Sequence, residues 1–373
     1  MRRWVLALLV AVMALAPQAA AQQPVPPPEG ERGRLRAERV RYDARNGVFE
    51  ARGNVRLELG DTTITCQVLT YHERDRVAWA EGNVEVVQKG TTLRAPVVKY
   101  EANPRITYAS GGAVVVQEDL ELRSQDLKYR HQDEVVFADG AVQLTTRNGR
   151  LEAPSLWADL KNKLAEARGP AKLVRKGGVP PRGREGDRVL AALAKEDTTI
   201  TSRGPMKYTW LRTEEATAQE SVRLEQVDKD ARAERITYSE SEDRIELAGS
   251  VRLHQRSGQW LVRERLVRPP RDEEERKALE TPAVLEADRV VIVLSTRNST
   301  ATGNVRVTQE GRRATGDRAE YDDQEGRIVL SGPRVRLERE DGSWLEAERV
   351  VVSLREDTFE AHGAVDTTFP VRR

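Results

Sequence analysis

Few side chains in this sequence could do chemistry. There are four histidines, His72, His131, His254 and His362, and one cysteine, Cys66. None of the histidines stands at a metal-ligand spacing such as HxxxH, so each is expected at a surface turn or strand. No GxSxG, no Walker glycine loop and no GxGxxG ahead of a helix is present. Cys66 has no partner for an internal disulfide. It falls where other copies of a recurring phrase place Ala or Ser, which predicts a small buried residue and not a reactive thiol. Acidic residues recur in register at Glu38, Glu234, Asp288, Asp317 and Glu348, followed by Arg39, Arg235, Arg289, Arg318 and Arg349. Stacked strands could align these acids to hold divalent cations or to act as paired acids. An arginine beside every acid favours a solvated surface of ion pairs instead, and such pairs stabilise little. Tyr42, Tyr71, Tyr100, Tyr129, Tyr238 and Tyr321 recur likewise and are expected to form a packing column sooner than a sugar platform. With no cluster of acids or bases breaking the pattern, the chain reads as a non-enzyme with no cofactor and no metal.

The elements that carry these groups repeat. "ARGNV" at Ala51, "AEGNV" at Ala80 and "ATGNV" at Ala301 are copies of one small turn, and Gly53, Gly82, Gly112, Gly140 and Gly169 follow one another at about 29 residues. A second phrase keeps the same beat: "LRAERVRY" from Leu35, "ITCQVLTY" from Ile64, "LRAPVVKY" from Leu93 and "LRSQDLKY" from Leu122, with later copies from Leu151, Ile200, Ala231, Leu285, Ala314 and Leu345. After each Gly the apolar residues alternate, as in Val55, Leu57 and Leu59, which is the period of a strand with one buried face. The second phrase alternates and then slips by one, which reads as a bulge or a corner. Gly takes positive φ without cost and Asn tolerates it, so "GN" is expected to reverse or bend the chain at one edge of each layer. One layer per unit at about 4.8 Å would make a body on the order of 50 Å long.

Composition agrees with thin layers: 38% of residues are hydrophobic, 32% charged and 5% aromatic. The formal net charge is +1, so no global basic field points to nucleic acid. Arg2 and Arg3 ahead of the apolar run Trp4 to Ala16, with Ala19 and Ala21 before Gln22, predict a secretory signal peptide over 1–21 and an exported protein. That run is short for a membrane span. Residues 22–33 read as a proline-rich lead-in, 34–175 as a first β module, 176–197 as a linker with a short helical pattern opening at Asp187, and 198–370 as a second β module. The second module carries a helical insertion at about 256–283, where Asp272 is expected to cap a helix and Glu275 to complete a capping box.

Matching positions across the units make an apolar face: Val55, Leu57, Val84, Val86, Val114, Val116, Val142, Leu144, Val222, Leu224, Val251, Leu253, Val305, Val307, Val335 and Leu337. Spacing leaves two readings of this face open, an ordinary closed core and a groove that accepts an elongated apolar ligand such as an acyl chain.

The signal peptide, the "GNV" turns, the phrase L-x-A-x-x-L/V-x-Y and the period together resemble the OstA-like family, over roughly residues 34 to 370. The resemblance implies an all-β, repetitive antiparallel β-jellyroll, V-shaped in section, whose inner apolar face holds the acyl chains of lipopolysaccharide or a related acylated glycolipid. It further implies a periplasmic bridge with an inner-membrane transporter component and an outer-membrane barrel component as partners, and head-to-tail pairing with copies of itself. On the matching positions, the docking edges would be the first strand, at Leu35, Val40 and Tyr42, and the last, at Leu345, Val350 and Val352. The array is about twice the length usual for the bridge protein of the family and carries two insertions. A β-scaffold that self-assembles through its edges without a ligand is the alternative.

Overall fold

The structure, a computed structural model, describes residues 34–368 except 89, 119, 148, 179–194, 210–212, 214, 264–267 and 354–357. The expected signal peptide, the proline-rich lead-in and the helical pattern opening at Asp187 lie outside the described residues. The chain divides into two units between Ala171 and Lys172. The first contains β1 (Arg34–Arg36), β2 (Arg39–Asp43), β3 (Val48–Leu59), β4 (Thr62–His72), β5 (Val77–Gln88), β6 (Thr91–Glu101), β7 (Ile106–Gln117), β8 (Leu120–Arg130), β9 (Val135–Thr146), β10 (Gly149–Asp159) and β11 (Leu164–Ala167), and β12 (Ala171–Arg175) spans the division. The second contains β13 (Thr198–Ser202), β14 (Met206–Thr209), β15 (Glu215–Glu225), β16 (Lys229–Ser239), β17 (Arg244–Gln255), the helices α1 (Gln259–Arg263) and α2 (Glu273–Glu280), then β18 (Ala283–Val293), β19 (Ser299–Gln309), β20 (Arg312–Asp322), β21 (Arg327–Arg339), β22 (Trp344–Ser353), β23 (Thr358–His362) and β24 (Asp366–Thr368). The all-β antiparallel fold expected from the patterning is what the chain adopts.

Each unit is an antiparallel meander in which every long strand pairs with the next. In the first, β1 and β2 lie end to end against β3, and pairing then runs without a crossover from β3 to β11. In the second, β13 and β14 lie end to end against β15, pairing runs from β15 to β22, and β23 and β24 close the series on β22. Such contacts are local in sequence, so each strand finds its partner within one short turn.

The Gly-Asn pair does not reverse the chain. Gly53 and Asn54 lie in the middle of β3, with φ of 77° and 45°, and Gly303 and Asn304 in the middle of β19, with φ of 76° and 50°. Two successive left-handed residues crease a continuous strand, and the pairing register shifts at that point, between Arg52 and Val55 and between Thr302 and Val305. Reversals occur elsewhere, at short turns such as Gly60–Asp61 and 73–76. A repeat therefore supplies two long strands rather than one layer, and advances the sheet by about twice the 4.8 Å strand spacing.

The crease has a second half on the neighbouring strand. The side chain of Asn54 donates to Glu38 Oε1 at 2.7 Å, and that of Asn304 to Asp288 Oδ2 at 2.9 Å, in each case across 16 positions. A Cβ on Gly53 would stand 2.3 Å from Glu38 Oε2, so the carboxylate closes over the glycine. The acids that recur in register thus cover the next crease. The arginines beside them pair with other acids, as Arg289 does with Glu246 at 2.9 Å and Arg318 with Glu320 at 2.6 Å. Among the described residues no group of three His, Cys, Asp or Glu side chains could hold a metal ion.

The helical insertion of the second unit is where the capping residues place it. Asp272 accepts from the backbone N–H of Glu275 at 2.8 Å, and Glu275 reaches back to the N–H of Arg271 at 2.7 Å. The Arg268 guanidinium, 2.6 Å from Glu275, and that N–H hold the Glu275 carboxyl down at about 2.

Candidate functional site: the inward face of the creased sheet

Because each strand is creased, its two halves form two arms whose inner faces oppose one another. A single sheet layer cannot bury its own side chains, yet Val305 and Val335 beside the crease are 1% and 0% exposed. In the second unit residues of both arms, among them Leu247, Val290, Leu330 and Val350 on one and Val251, Val305 and Val335 on the other, make one apolar cluster. Burying a valine or leucine in this way stabilises by roughly 1.5–3 kcal/mol each.

The registers resolve the inward face into rows that run across the strands. Next to the crease on one arm lie the pairs Val55 with Cys66, Val84 with Ala95, Ala113 with Ser124 and Val142 with Ala153. Two residues further out runs a row from Leu35 through Leu57, Ile64, Val86, Leu93, Val115, Leu122 and Leu144 to Leu151. The other arm has an inner row from Val40 through Ala51, Leu69, Ala80, Val98, Ala109, Leu127 and Ala138 to Leu156. Its outer row runs from Tyr42 through Phe49, Tyr71, Ala78, Tyr100, Thr107 and Tyr129 to Val136. The phrase L-x-A-x-x-L/V-x-Y is one strand crossing all four rows, and its slip is the crease.

The second unit repeats the plan. Leu224, Ala231, Leu253, Leu285, Val307, Ala314, Leu337 and Leu345 form its outer row on one arm, and Tyr238, Ile245 and Ile292 continue into Ser299, Tyr321, Ile328 and Val352 on the other. In both units the tyrosines share a row but alternate with smaller residues, so they do not stack on one another as a column. Tyr129 packs edge-on to His131 at 4.7 Å, and His131 Nε2 lies 2.9 Å from Thr107 Oγ1.

The predicted inward residues fall as follows. Val55, Leu57, Val84, Val86, Val142, Leu144, Val222, Leu224, Val251, Leu253, Val305, Val307, Val335 and Leu337 lie on the inward face. Val114 and Val116 do not. In β7 both Gly111 and Gly112 are left-handed, so Gly111 takes the place of Gly53, and the buried residues are Ala113 and Val115. Val114 and Val116 point to the opposite face. Leu345, Val350 and Val352 are not at an edge either, because β23 and β24 pair with β22 beyond them, and Val350 is fully buried. "AHGAV", with Gly363 at φ 93°, is a further crease that extends the array by one strand. Among the described residues Leu35, Val40 and Tyr42 lie at the first edge, paired on one side with β3. The whole second arm, from Ala51 to Leu330, escapes the alternation after each glycine. Its signal is the small or aliphatic residue two positions before the crease, as in Ala51, Ala80, Ala138 and Ala301.

Cys66 is buried at the crease opposite Val55, and burial pushes its thiol up to about 11. It is a packing residue. The four histidines are partly or fully exposed on strands and turns, His254 being held by Asp230 at 3.0 Å and His362 by Glu360 at 3.4 Å.

Exposure grades the interior. In the first unit Tyr42 is 53% exposed at the β2 edge and Tyr129 only 2% six strands on. From β5 to β9 the outer rows are largely shut, with Val86, Leu93, Val115, Leu122 and Val136 buried and Ala78, Tyr100 and Leu144 half-buried. In the second unit the same rows are half-buried from β17 to β22, Leu253, Leu285, Val307, Leu337 and Leu345 among them, while Ala231 on β16 is buried. That arrangement presents a furrow with a buried floor and half-buried apolar lips, suited to covering an extended apolar chain.

Residues 31–153 match the family model described as OstA-like protein. Among solved structures the chain is similar to LptH of Pseudomonas aeruginosa, described as the LptA homologous periplasmic component of the conserved lipopolysaccharide transport device. The identity is 20%, the match covers 31% of this chain and 96% of that one, and the TM-score is 0.29. No curated protein matches the chain. The rows of the first unit lie on the strands that match, and over residues 31–153 the chain is similar to the OstA-like proteins.

Proposed function

We propose that this protein is a periplasmic carrier that shields the acyl chains of lipopolysaccharide or a related acylated glycolipid between the arms of its creased sheets. The observation that carries this reading is the pair of outer rows in the second unit, apolar from Leu253 to Leu345 and half-buried along that length. A closed core would shut them. The family match over residues 31–153 supports the same role. Transfer then proceeds by exchange of apolar contacts along the rows, with driving energy supplied by an inner-membrane transporter component and delivery to an outer-membrane barrel component. Edge pairing is the means of joining. Val40 and Tyr42 on β2 are 52% and 53% exposed, Phe359 on β23 is 54% exposed, and unpaired edges of this kind recruit further strands, from a partner or from a second copy. The sequence signals for export belong to this reading, and no catalytic step does.

Purified full-length protein is expected to bind a monomeric acylated glycolipid and to lose that binding when Leu253 and Leu337 are both changed to Gln. A protein that binds no acylated glycolipid contradicts the carrier role. The largely shut stretch from β5 to β9 favours a second reading, a scaffold with a closed core that polymerises through its edges. Concentration-dependent assemblies with no lipid bound would support it.

A further inference from the structure

Beyond the apolar rows, one arm carries a row of another kind at its rim. In the first unit it runs from Leu59 through Thr62, Gln88, Thr91 and Gln117 to Leu120, each paired with the next across neighbouring strands. Strand alternation puts these side chains on the same inward face as Val86, Leu93 and Val115. The glutamine recurs at the same place after the crease in the second unit, at Gln226, Gln255 and Gln309, and Gln226 Nε2 donates to Thr198 Oγ1 at 2.7 Å. Thr62, Gln88, Thr91, Gln117 and Thr198 are buried.

Buried polar atoms are ordinarily paired. Gln88 is, through Nε2 to Asp61 Oδ1 at 3.3 Å. Thr91 Oγ1 and Gln117 Oε1, which sit on directly paired residues, have no hydrogen-bond partner. Two adjacent orphaned oxygens stand on the inward side of a rim: Gln117 Oε1 is an acceptor awaiting a donor, and the Thr91 hydroxyl can accept or donate. From floor to rim the inward face thus passes from Val and Ala, through Leu and Tyr, to neutral Gln and Thr. An amphiphile has that order, with hydrocarbon first and hydrogen-bonding groups at its polar end.

We propose that the inward glutamine–threonine row, centred on Thr91 and Gln117, binds the amide N–H and hydroxyl groups at the polar end of an acylated ligand. This rests on the carrier reading and narrows its ligand. A group that only accepts, such as a carboxylate or a fully ionised phosphate, offers Gln117 Oε1 nothing. A ligand with an amide or a hydroxyl where its chains meet its head satisfies both oxygens once the arms part to admit it.

The test compares full-length wild type with Thr91→Val/Gln117→Leu by calorimetric titration against two probes of equal chain length, each below its aggregation threshold. One is an N-acylated glucosamine lipid, and the other is the free fatty acid at a pH where it is ionised. The variant should bind the glucosamine lipid about tenfold more weakly while melting no earlier, since it removes the orphaned atoms, and Gln117→Leu alone, which keeps the Thr91 hydroxyl, should bind the fatty acid as wild type does. Thr91→Ser, which keeps the hydroxyl, should bind as wild type. Should the double variant melt early, Gln117→Leu alone must still weaken the glucosamine lipid selectively. Equal loss for both probes in Gln117→Leu, or no loss for the glucosamine lipid, overturns the rim site and leaves the groove standing. A wild type that binds neither probe removes the groove, and the rim site with it.

Discussion

The interior of the first unit from β5 to β9 and that of the second from β17 to β22 are built from the same rows, yet the first is largely shut and the second half-open. Beside the crease they agree, with Val84 and Val142 in one and Val251 and Val335 in the other equally buried. They part at the outer rows, where Leu93 and Leu122 are buried while Leu285 and Leu337 are half-exposed. The strand ends differ too. Ile106, Leu120 and Val135 are buried in the first unit, and Arg312, Arg327 and Arg339 stand exposed at strand ends of the second. A guanidinium is costly to take out of water, so exposed arginines at strand ends resist closure there. The floor is thus alike in the two units, and the difference lies in the outer rows and at the strand ends.

The largest effect should come from truncating the shut interior. Leu122→Ala empties a fully enclosed position and should cost about 3 kcal/mol in denaturant unfolding, while Leu337→Ala in the open rows should cost about 1 kcal/mol or less. Equal costs would erase the distinction between the two interiors. Next, Gly303→Ala forces a Cβ onto a left-handed residue already covered by Asp288 and should lose about 1–3 kcal/mol, whereas Asn304→Ala, which removes one exposed hydrogen bond, should lose about 1 kcal/mol.

Cys66 sharpens the comparison by pH. Its folded value of about 11 lies above the 9.0 of the free thiol, so between these values the unfolded chain gives up the proton and the folded chain keeps it. Stability is then unaffected below pH 9 and falls as pH rises towards 11, by on the order of 2 kcal/mol. The difference in unfolding free energy between wild type and Cys66→Ala should shrink across that window, and a flat difference would place the thiol in water. The smallest effect belongs to the outer ion pairs. Arg56 and Glu58, 2.8 Å apart and both well exposed, should contribute almost nothing, so Arg56→Ala leaves the melting temperature almost unchanged.

Much of this fold was legible because a crease is hard to encode in more than one way. Two successive left-handed residues call for Gly-Asn or close substitutes, and that need printed the period at Gly53, Gly82 and Gly303. Where the requirement was met twice over, at Gly111 and Gly112, the register was ambiguous, and Val114 and Val116 were assigned to the wrong face. Where it was met without glycine, by Glu220 and Ser221 at φ 64° and 53°, only the strand pattern after the crease showed. The bond from Asn54 to Glu38 joins strands that spacing alone did not pair, so the acids were read with their neighbouring arginines. Openness was not legible at all, since Leu122 and Leu337 lie in the corresponding row and carry the same side chain, yet one is buried and the other half-buried.

The most direct measurement of the central claim is site-specific photo-crosslinking in cells, with a photoreactive residue placed in turn at Leu57, Leu224 and Val307 and at the outward Arg56 as control. Lipopolysaccharide adducts at the three inward sites and none at Arg56 are the predicted result. A folded, expressed protein that yields no adduct at any inward site would contradict the carrier and leave a closed scaffold in its place.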